Sequence, residues 1–315
     1  MDIPRNLAID RFRGLAILLM VVANYLGGVD IVPAFLKHAP DIGFTVIDTI
    51  APMFIFAIGL TYRPSFEKRL KQRGALSATM HFVTRYFALV GIGALFTAGG
   101  TTVAGEPADW GVLQAIGVAG LICLLFVRLN PYQRLAAGAA LLVVYQFALD
   151  RWILQPVLAS VQGGFYGTIS WGAMLVIATA MADMRRKGLR PYVLTCIVLA
   201  AVAVASVFLV PVSKHRVSLS YVLVTLAISA LVYLLFELGS RFVKNQPGYL
   251  CWWGENPIVL YILHLFILGL FELPSAQGWY AQAPVWLVII QLSFLIGVVS
   301  FAAWDLHRHR ILIKL

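Results

Sequence analysis

Charge is what this sequence has least of. Asp, Glu, Lys and Arg together make up 12% of its 315 residues, about half the share found in a soluble globular domain. Hydrophobic residues make up 61%, and the mean hydropathy is +0.86. A soluble core cannot hide that much apolar surface; it requires lipid as its solvent. Cysteine is nearly absent. Cys123, Cys196 and Cys251 each fall inside an apolar run, and their odd number and spacing suit no metal site. They read as small packing residues, and no metal is expected. Internal repeats, low-complexity segments and long linkers are missing. No soluble stretch is long enough to fold separately, so residues 1–315 read as one membrane domain. The net charge is +10, but there is no Lys/Arg stripe with interleaved aromatics. Nucleic acid is therefore set aside as a partner.

What the sequence does have is a series of apolar runs long enough to cross a bilayer, which takes roughly 20 residues each. They fall near 10–28, 44–62, 80–98, 111–127, 134–149, 166–183, 190–211, 219–237, 249–272 and 284–305. This predicts an all-α, polytopic transmembrane bundle of about ten helices. The first run follows a basic stretch but continues through Asn24 and Gly28 without a small-x-small cleavage site, so it reads as a retained helix rather than a signal peptide. Basic residues set the orientation. With the N-terminus inside, the inner segments hold Arg5, Arg11, Arg13, Arg63, Lys68, Arg69, Lys71, Arg73, Arg85, Arg128, Arg134, Arg185, Arg186, Lys187, Arg190, Arg241, Lys244, Arg308, Arg310 and Lys314. The outer segments hold Lys37, Arg151, Lys214 and Arg216. Both termini are thus expected in the cytoplasm.

Polar groups at membrane depth are costly and mark function by default. On this topology Asn24, Lys37, His38, Asp48, Gln114, Lys214, His215 and His264 gather towards the outer side, with Asn256 deeper. Pro52 is expected to kink the second helix beside Asp48, and Pro257 the ninth beside Glu255 and Asn256. Tyr261 and His264 are three residues apart and share a helix face. Each residue also has a plainer reading. His38 alone is an ordinary loop histidine, and Asp48 can cap a helix. Asn24 and Gln114 can be interhelical hydrogen-bond glue. His264 can be a satisfied core histidine. Trp252 and Trp253 can be interfacial anchors or core.

The motifs point further. The stretch DRFRGLAILLMVVANYLGG, followed by KHAPDIGFTVIDTIAPMFIFAIG, resembles the heparan-α-glucosaminide N-acetyltransferase family within the transmembrane acyltransferase superfamily. The shared positions are Asp10, Phe12, Arg13, Gly14, Asn24, Gly27, Gly28 and His38, then Gly43, Thr45, Asp48, Pro52, Phe54, Phe56 and Gly59. GVLQ at 111–114, GTI at 167–169, VPVSKHRVSLSYV at 210–222 and GENPIVLYILH at 254–264 agree in order, so the resemblance covers most of the chain. The pattern departs at Asp41 and Ile42, where the family often has Trp and Asn, and at Val217, where it has Trp. The resemblance implies a bacterial-type homologue without the long luminal N-terminal domain of the animal enzyme, in a bacterial inner membrane.

It also implies an activity: transfer of an acetyl group from acetyl-CoA to the amine of a terminal glucosamine, with His38 as the catalytic histidine. The residues suit acyl transfer. Histidine can take a proton from an attacking amine or hydroxyl, or accept the acyl group itself. Asp48 is the candidate for fixing its tautomer, and Asn24, Asn256 or Lys214 for donating to the oxyanion. Arg13 suits the phosphates of CoA. Lys37, Gln114 and His264 complete the expected binding residues. The expected partners are acyl-CoA, an amino-sugar or other glycan acceptor and membrane lipid, and a homodimer is compatible with this reading. Two other classes stay open. A transporter or flippase would use the broken helices and buried polar groups without bond changes, and a structural or sensory subunit would use them only for packing.

Overall fold

The computed structural model describes residues 6–98, 102–103, 106–107, 110–240, 242 and 246–313. Arg5, Arg241, Lys244, Lys314 and most of the expected outer loop 99–110 lie outside the described residues. Among the described residues the regular structure is helical apart from one antiparallel pairing of two-residue strands, Thr102–Val103 with Glu106–Pro107. The helices are α1 Leu7–Gly27, α2 Ile50–Ala98, α3 Val112–Phe126, α4 Pro131–Ala148, α5 Leu154–Leu158, α6 Gly164–Lys187, α7 Leu189–Val207, α8 Leu219–Gly239, α9 Tyr249–Glu255, α10 Pro257–Glu272 and α11 Val285–Arg308. Gly74 divides α2, the short α5 continues α4 through a π turn at Leu149–Ile153, and α9 and α10 form one bent pair. Ten helical segments therefore occupy the ten expected runs. Among the described residues, six helices are long and apolar enough to cross a membrane by length and composition, or seven with the bent pair. The chain is an integral, multi-pass membrane protein.

Three local expectations are corrected. Residues 63–79 are not a loop: apart from Gly74 they continue the helix, because Glu67, Lys68, Leu70, Lys71 and Gln72 are good helix formers. Gly74 interrupts it at φ 79° and ψ 173°, a conformation open to a residue without Cβ. Pro52 makes no kink. It lies in the first turn of α2, where a missing N–H removes no helix bond. Pro257, by contrast, does more than kink. It starts α10 after a break at Asn256, and the two helices meet at 91°.

Contacts divide the chain into two compact units. One comprises 1–38, 45–54 and 232–315. At its heart α1 crosses α9 backbone to backbone. A Cβ on Gly14 would run into the Leu250 carbonyl, and one on Gly254 into the Asp10 carbonyl. Ile17, Val21, Tyr25, Trp253, Leu260, Leu295 and Val299 form the buried core around that crossing. Trp253 is therefore core, while Trp252 is half-buried and stacks on His307. His307 Nδ1 in turn lies 2.9 Å from the buried Glu255.

The other unit comprises 39–44 and 55–231. Its centre is α6, buried along nearly its whole length and packed by α3, α4 and α7. A helix apolar all round belongs in such a place. At one end of α6, Asp183 takes ion pairs from Arg63, Arg134 and Arg186, and Glu67 bridges Arg63 and Arg186. Arg134 is fully buried, so removal of Asp183 would strand its charge. Cys123, Cys196 and Cys251 are all buried, as packing residues are.

Candidate functional site

His38 and Asp48 meet. His38 Nδ1 lies 2.8 Å from Asp48 Oδ1, across ten residues of chain that proved nothing about proximity in the sequence. The His38 side chain is 38% exposed and that of Asp48 fully buried. Local structure explains the pairing. Thr45 precedes a 3₁₀ turn, Val46–Thr49, that leads into α2, and Asp48 occupies the third position of that turn. Asp48 Oδ2 accepts from the Thr45 N–H at 3.0 Å, which is the carboxylate half of a capping box. The Thr45 hydroxyl lies 3.1 Å from the same oxygen and 2.8 Å from the Lys37 carbonyl, and its one proton serves one acceptor at a time. Asp48 is thus cap and histidine partner at once, one oxygen for each. Thr45 was not singled out from the sequence as a site residue, although the Thr-x-x-Asp spacing of a capping box carried the signal.

A second pair lies in the same unit. Asn24 Nδ2 is 2.9 Å from His264 Nε2. His264 is fully buried and packs edge-on against Tyr261, with ring centroids 5.0 Å apart. Met20 and Ala23 of α1 cluster with Ile47 and Ile50, which flank Asp48, and with Tyr261 of α10. One apolar cluster thereby joins the elements that carry Asn24, Asp48 and His264.

Of the remaining expected site residues, Lys37 lies beside the first pair and the others make bonds of their own. Asn256 sits at the break between α9 and α10. Its amide donates to the Ile311 carbonyl at 2.9 Å and accepts from the Ile313 N–H at 2.8 Å, so it ties down the segment after α11 instead of joining the group around His264. Arg13 donates to the Gly254 carbonyl at 3.0 Å and pairs with Asp10 at 3.4 Å, which fastens the crossing of α1 and α9. Lys37 contributes its carbonyl to Thr45. Gln114 and Lys214 belong to the other unit. Gln114 Oε1 accepts from the Gly111 N–H at 2.6 Å and caps α3, while its amide lies 3.4 Å from the Thr97 hydroxyl. Lys214 is half-buried in the loop after α7, and its carbonyl accepts from the Val217 N–H.

That loop also holds an ion pair that sequence reasoning missed. Arg216 binds Asp41 through both Nε and Nη2, and Ser213 donates to Asp41 Oδ1 at 3.0 Å. The Arg216 hydrogen bonds hold the Asp41 carboxyl below the usual carboxylate range, and Asp41 in turn raises Arg216. No local pattern links residues 175 apart, so nothing in the chain announced this pair.

A bundle of helices long and apolar enough to cross a membrane defines the class, an integral-membrane protein, and this one carries an imidazole–carboxylate pair at the start of its second helix. The particular family is heparan-alpha-glucosaminide N-acetyltransferase: its catalytic region matches residues 5–170, more than half of the chain, and the chain belongs to that family. The human heparan-alpha-glucosaminide N-acetyltransferase is 34% identical over 140 residues, covering 41% of this chain and 20% of that protein. The mouse protein is 36% identical over 118 residues, covering 35% of this chain and 17% of its own length. The chain therefore spans about a fifth of the length of the relatives it matches. His38, Asp48, Asn24 and Arg13 fall inside the matched region; Lys214, Asn256 and His264 lie beyond it.

Proposed function

We propose that this chain, as a single transferase domain, moves an acetyl group from acetyl-CoA to an amino sugar or other glycan acceptor, with His38 as general base or acyl carrier. The observation that carries the reading is the bond between His38 and the buried Asp48. With Nδ1 bonded to Asp48, proton transfer by this imidazole runs through Nε2. As the acceptor amine attacks the thioester carbonyl, Nε2 takes its proton, and Asp48 stabilises the imidazolium. Collapse of the tetrahedral intermediate breaks the C–S bond, and the proton passes to the departing CoA thiolate. If His38 carries the acyl group instead, Nε2 attacks the thioester carbonyl, the C–S bond breaks and CoA leaves as the thiolate; the acceptor amine then attacks the acetyl-imidazole, the N–acetyl bond to His38 breaks, and the amine's proton ends on the thiolate. Asn24 donates one amide N–H to His264, and its second N–H makes it a candidate for the oxyanion.

The same reading takes a bacterial inner membrane from the resemblance, and both termini inside with His38 on the outer face from the lysine and arginine bias. Because the native cysteines are buried, single introduced cysteines can test it. Phe35→Cys should react with an impermeant maleimide on intact cells and Gln72→Cys only after lysis; the opposite pattern would overturn the orientation.

Activity is tested with purified protein, acetyl-CoA and glucosamine. CoA thiol should appear and the sugar should gain one acetyl mass. Acetyl-CoA alone should also raise the melting temperature, since a ligand that binds only the folded state stabilises it. The 91° break at Asn256 favours a second reading, a transporter, because broken helices line substrate paths in many of them. Intact protein that moves a glycan across vesicles without releasing thiol would decide for it.

A further inference from the structure

We propose that His264 is a positioning residue for Asn24, holding its amide in the orientation that donates to the oxyanion, a role that rests on the function proposed above. The two side chains belong to one compact unit, Asn24 near the end of α1 and His264 within α10. Asn24 is half-buried, whereas His264 is fully buried and so acts on a substrate only through another group. Asn24 Nδ2 lies 2.9 Å from His264 Nε2. An amide nitrogen can only donate, so Nε2 accepts, and the ring is the neutral tautomer with its proton on Nδ1. The bond therefore distinguishes the two ends of the Asn24 amide: Nδ2 faces the imidazole and Oδ1 is turned away from it. His38 is held on the same plan. It is 38% exposed and is bound by the fully buried Asp48. Met20 and Ala23 of α1, Ile47, Ile50 and Tyr261 make the apolar cluster that joins the elements carrying both pairs.

Packing alone gives no reason for a histidine at this position. His264 Nδ1 finds no side-chain partner among the described residues, and the ring lies edge-on to Tyr261 with centroids 5.0 Å apart. A leucine would fill a similar volume without burying a polar edge. What a leucine lacks is the acceptor for Asn24. The χ2 torsion of asparagine is broad, and a half-buried amide is free to turn end over end, which exchanges its nitrogen for its oxygen. Donation to Nε2 removes that freedom and fixes where the second N–H of Nδ2 points. The distinction matters for the chemistry, because an amide N–H stabilises a developing oxyanion and an amide oxygen repels it. Losing one oxyanion donor outright costs on the order of 10²–10³ in turnover. A donor that is present but no longer held should cost less, on the order of tenfold, since small misplacements of a reacting group already slow catalysis.

The test is a kinetic comparison with acetyl-CoA and glucosamine. His264→Ala opens a cavity and mixes packing with kinetics, so the informative change is His264→Leu, which keeps most of the volume and removes the acceptor. It should lower kcat about tenfold or more and leave KM for acetyl-CoA within about twofold, with a melting temperature close to that of the wild type. His264→Gln, whose amide oxygen can reach the place of Nε2 and accept from Asn24, should recover most of the lost rate. His264→Leu added to Asn24→Ala should cost nothing further, because both act through one bond. His264→Met, an adaptable unbranched filler, carries the same expectation as His264→Leu and replaces it if that variant does not fold. Three results would overturn the role: wild-type kcat in the folded His264→Leu or His264→Met variant, no recovery in His264→Gln, or wild-type kcat in Asn24→Ala. His38→Ala run alongside separates the two readings. If it keeps its activity, the functional reading fails; if it is inactive while His264→Leu turns over normally, only the positioning role fails.

Discussion

His38→Ala should lose acetyl-transfer turnover by a factor on the order of 10² or more, a loss far larger than its modest fall in melting temperature can explain. The imidazole is 38% exposed, and its bond to Asp48 is one hydrogen bond at the edge of the protein. The exposed ring itself contributes little, but its removal takes the partner of the buried Asp48 Oδ1, at about 1–3 kcal/mol. Asp48→Asn should slow turnover as well, since an amide cannot stabilise an imidazolium, but its stability will fall with its rate. The Asp48 side chain is fully buried and accepts from both Thr45 and His38, so an amide N–H turned towards either donor leaves a buried group unpaired, at about 1–3 kcal/mol. His264→Ala should behave as a packing variant first and a kinetic one second, because it is enclosed between Asn24 and Tyr261. Steady-state rates and thermal melts on the three purified variants give the ranking. If His38→Ala turns over at near the wild-type rate, the mechanism is wrong, and family membership does not rescue it.

Gly254→Leu should do the opposite: abolish accumulation of folded protein without touching any reacting group. The Asp10 carbonyl already occupies the space that a Cβ at Gly254 would need, and the Leu250 carbonyl occupies that of Gly14. A flexible side chain can swing away from a new methyl group, but two helix backbones cannot separate without opening the core of Ile17, Trp253 and Leu295 and breaking the bond from Arg13 to Gly254. Overpacking in an ordinary core costs about 1–3 kcal/mol, and this site should exceed that. Gly27→Ala is the control, since nothing lies within 4 Å of the added Cβ. Extraction in mild detergent followed by size-exclusion chromatography and melting should give a monodisperse Gly27→Ala variant and an aggregated or missing Gly254→Leu variant. A Gly254→Leu protein that melts like the wild type would mean that α1 and α9 do not cross this closely.

Ten helical runs could be read directly from the chain, because burial in lipid imposes a length and a composition on each one separately. The break at Pro257 was legible for the same kind of reason: it follows from a missing N–H and a clashing ring within a few residues. The Thr45–Asp48 cap was equally local. Even where the reading went wrong, at the helical stretch 63–79 and the unkinked Pro52, the cause was local and concerned where a helix begins. The family signature around Arg13, Asn24, His38 and Asp48 is likewise a matter of residue order.

Partnership is different in kind. Arg13 looked suited to phosphate, and its Nη1 meets the Gly254 carbonyl 241 residues away. Asn256 looked suited to an oxyanion and instead holds Ile311 and Ile313. Asp41 and Arg216 gave no hint of each other. Whether a polar side chain is available for chemistry depends on which distant donor or acceptor meets it first. The lipid-driven patterning that writes helices into a sequence is indifferent to that choice, because it acts on each segment alone. Only packing, which brings carbonyls, carboxylates and imidazoles from far-apart segments within 3 Å or so of one another, sets His38 on Asp48, Arg13 on the Gly254 carbonyl and Asn256 on Ile311 and Ile313.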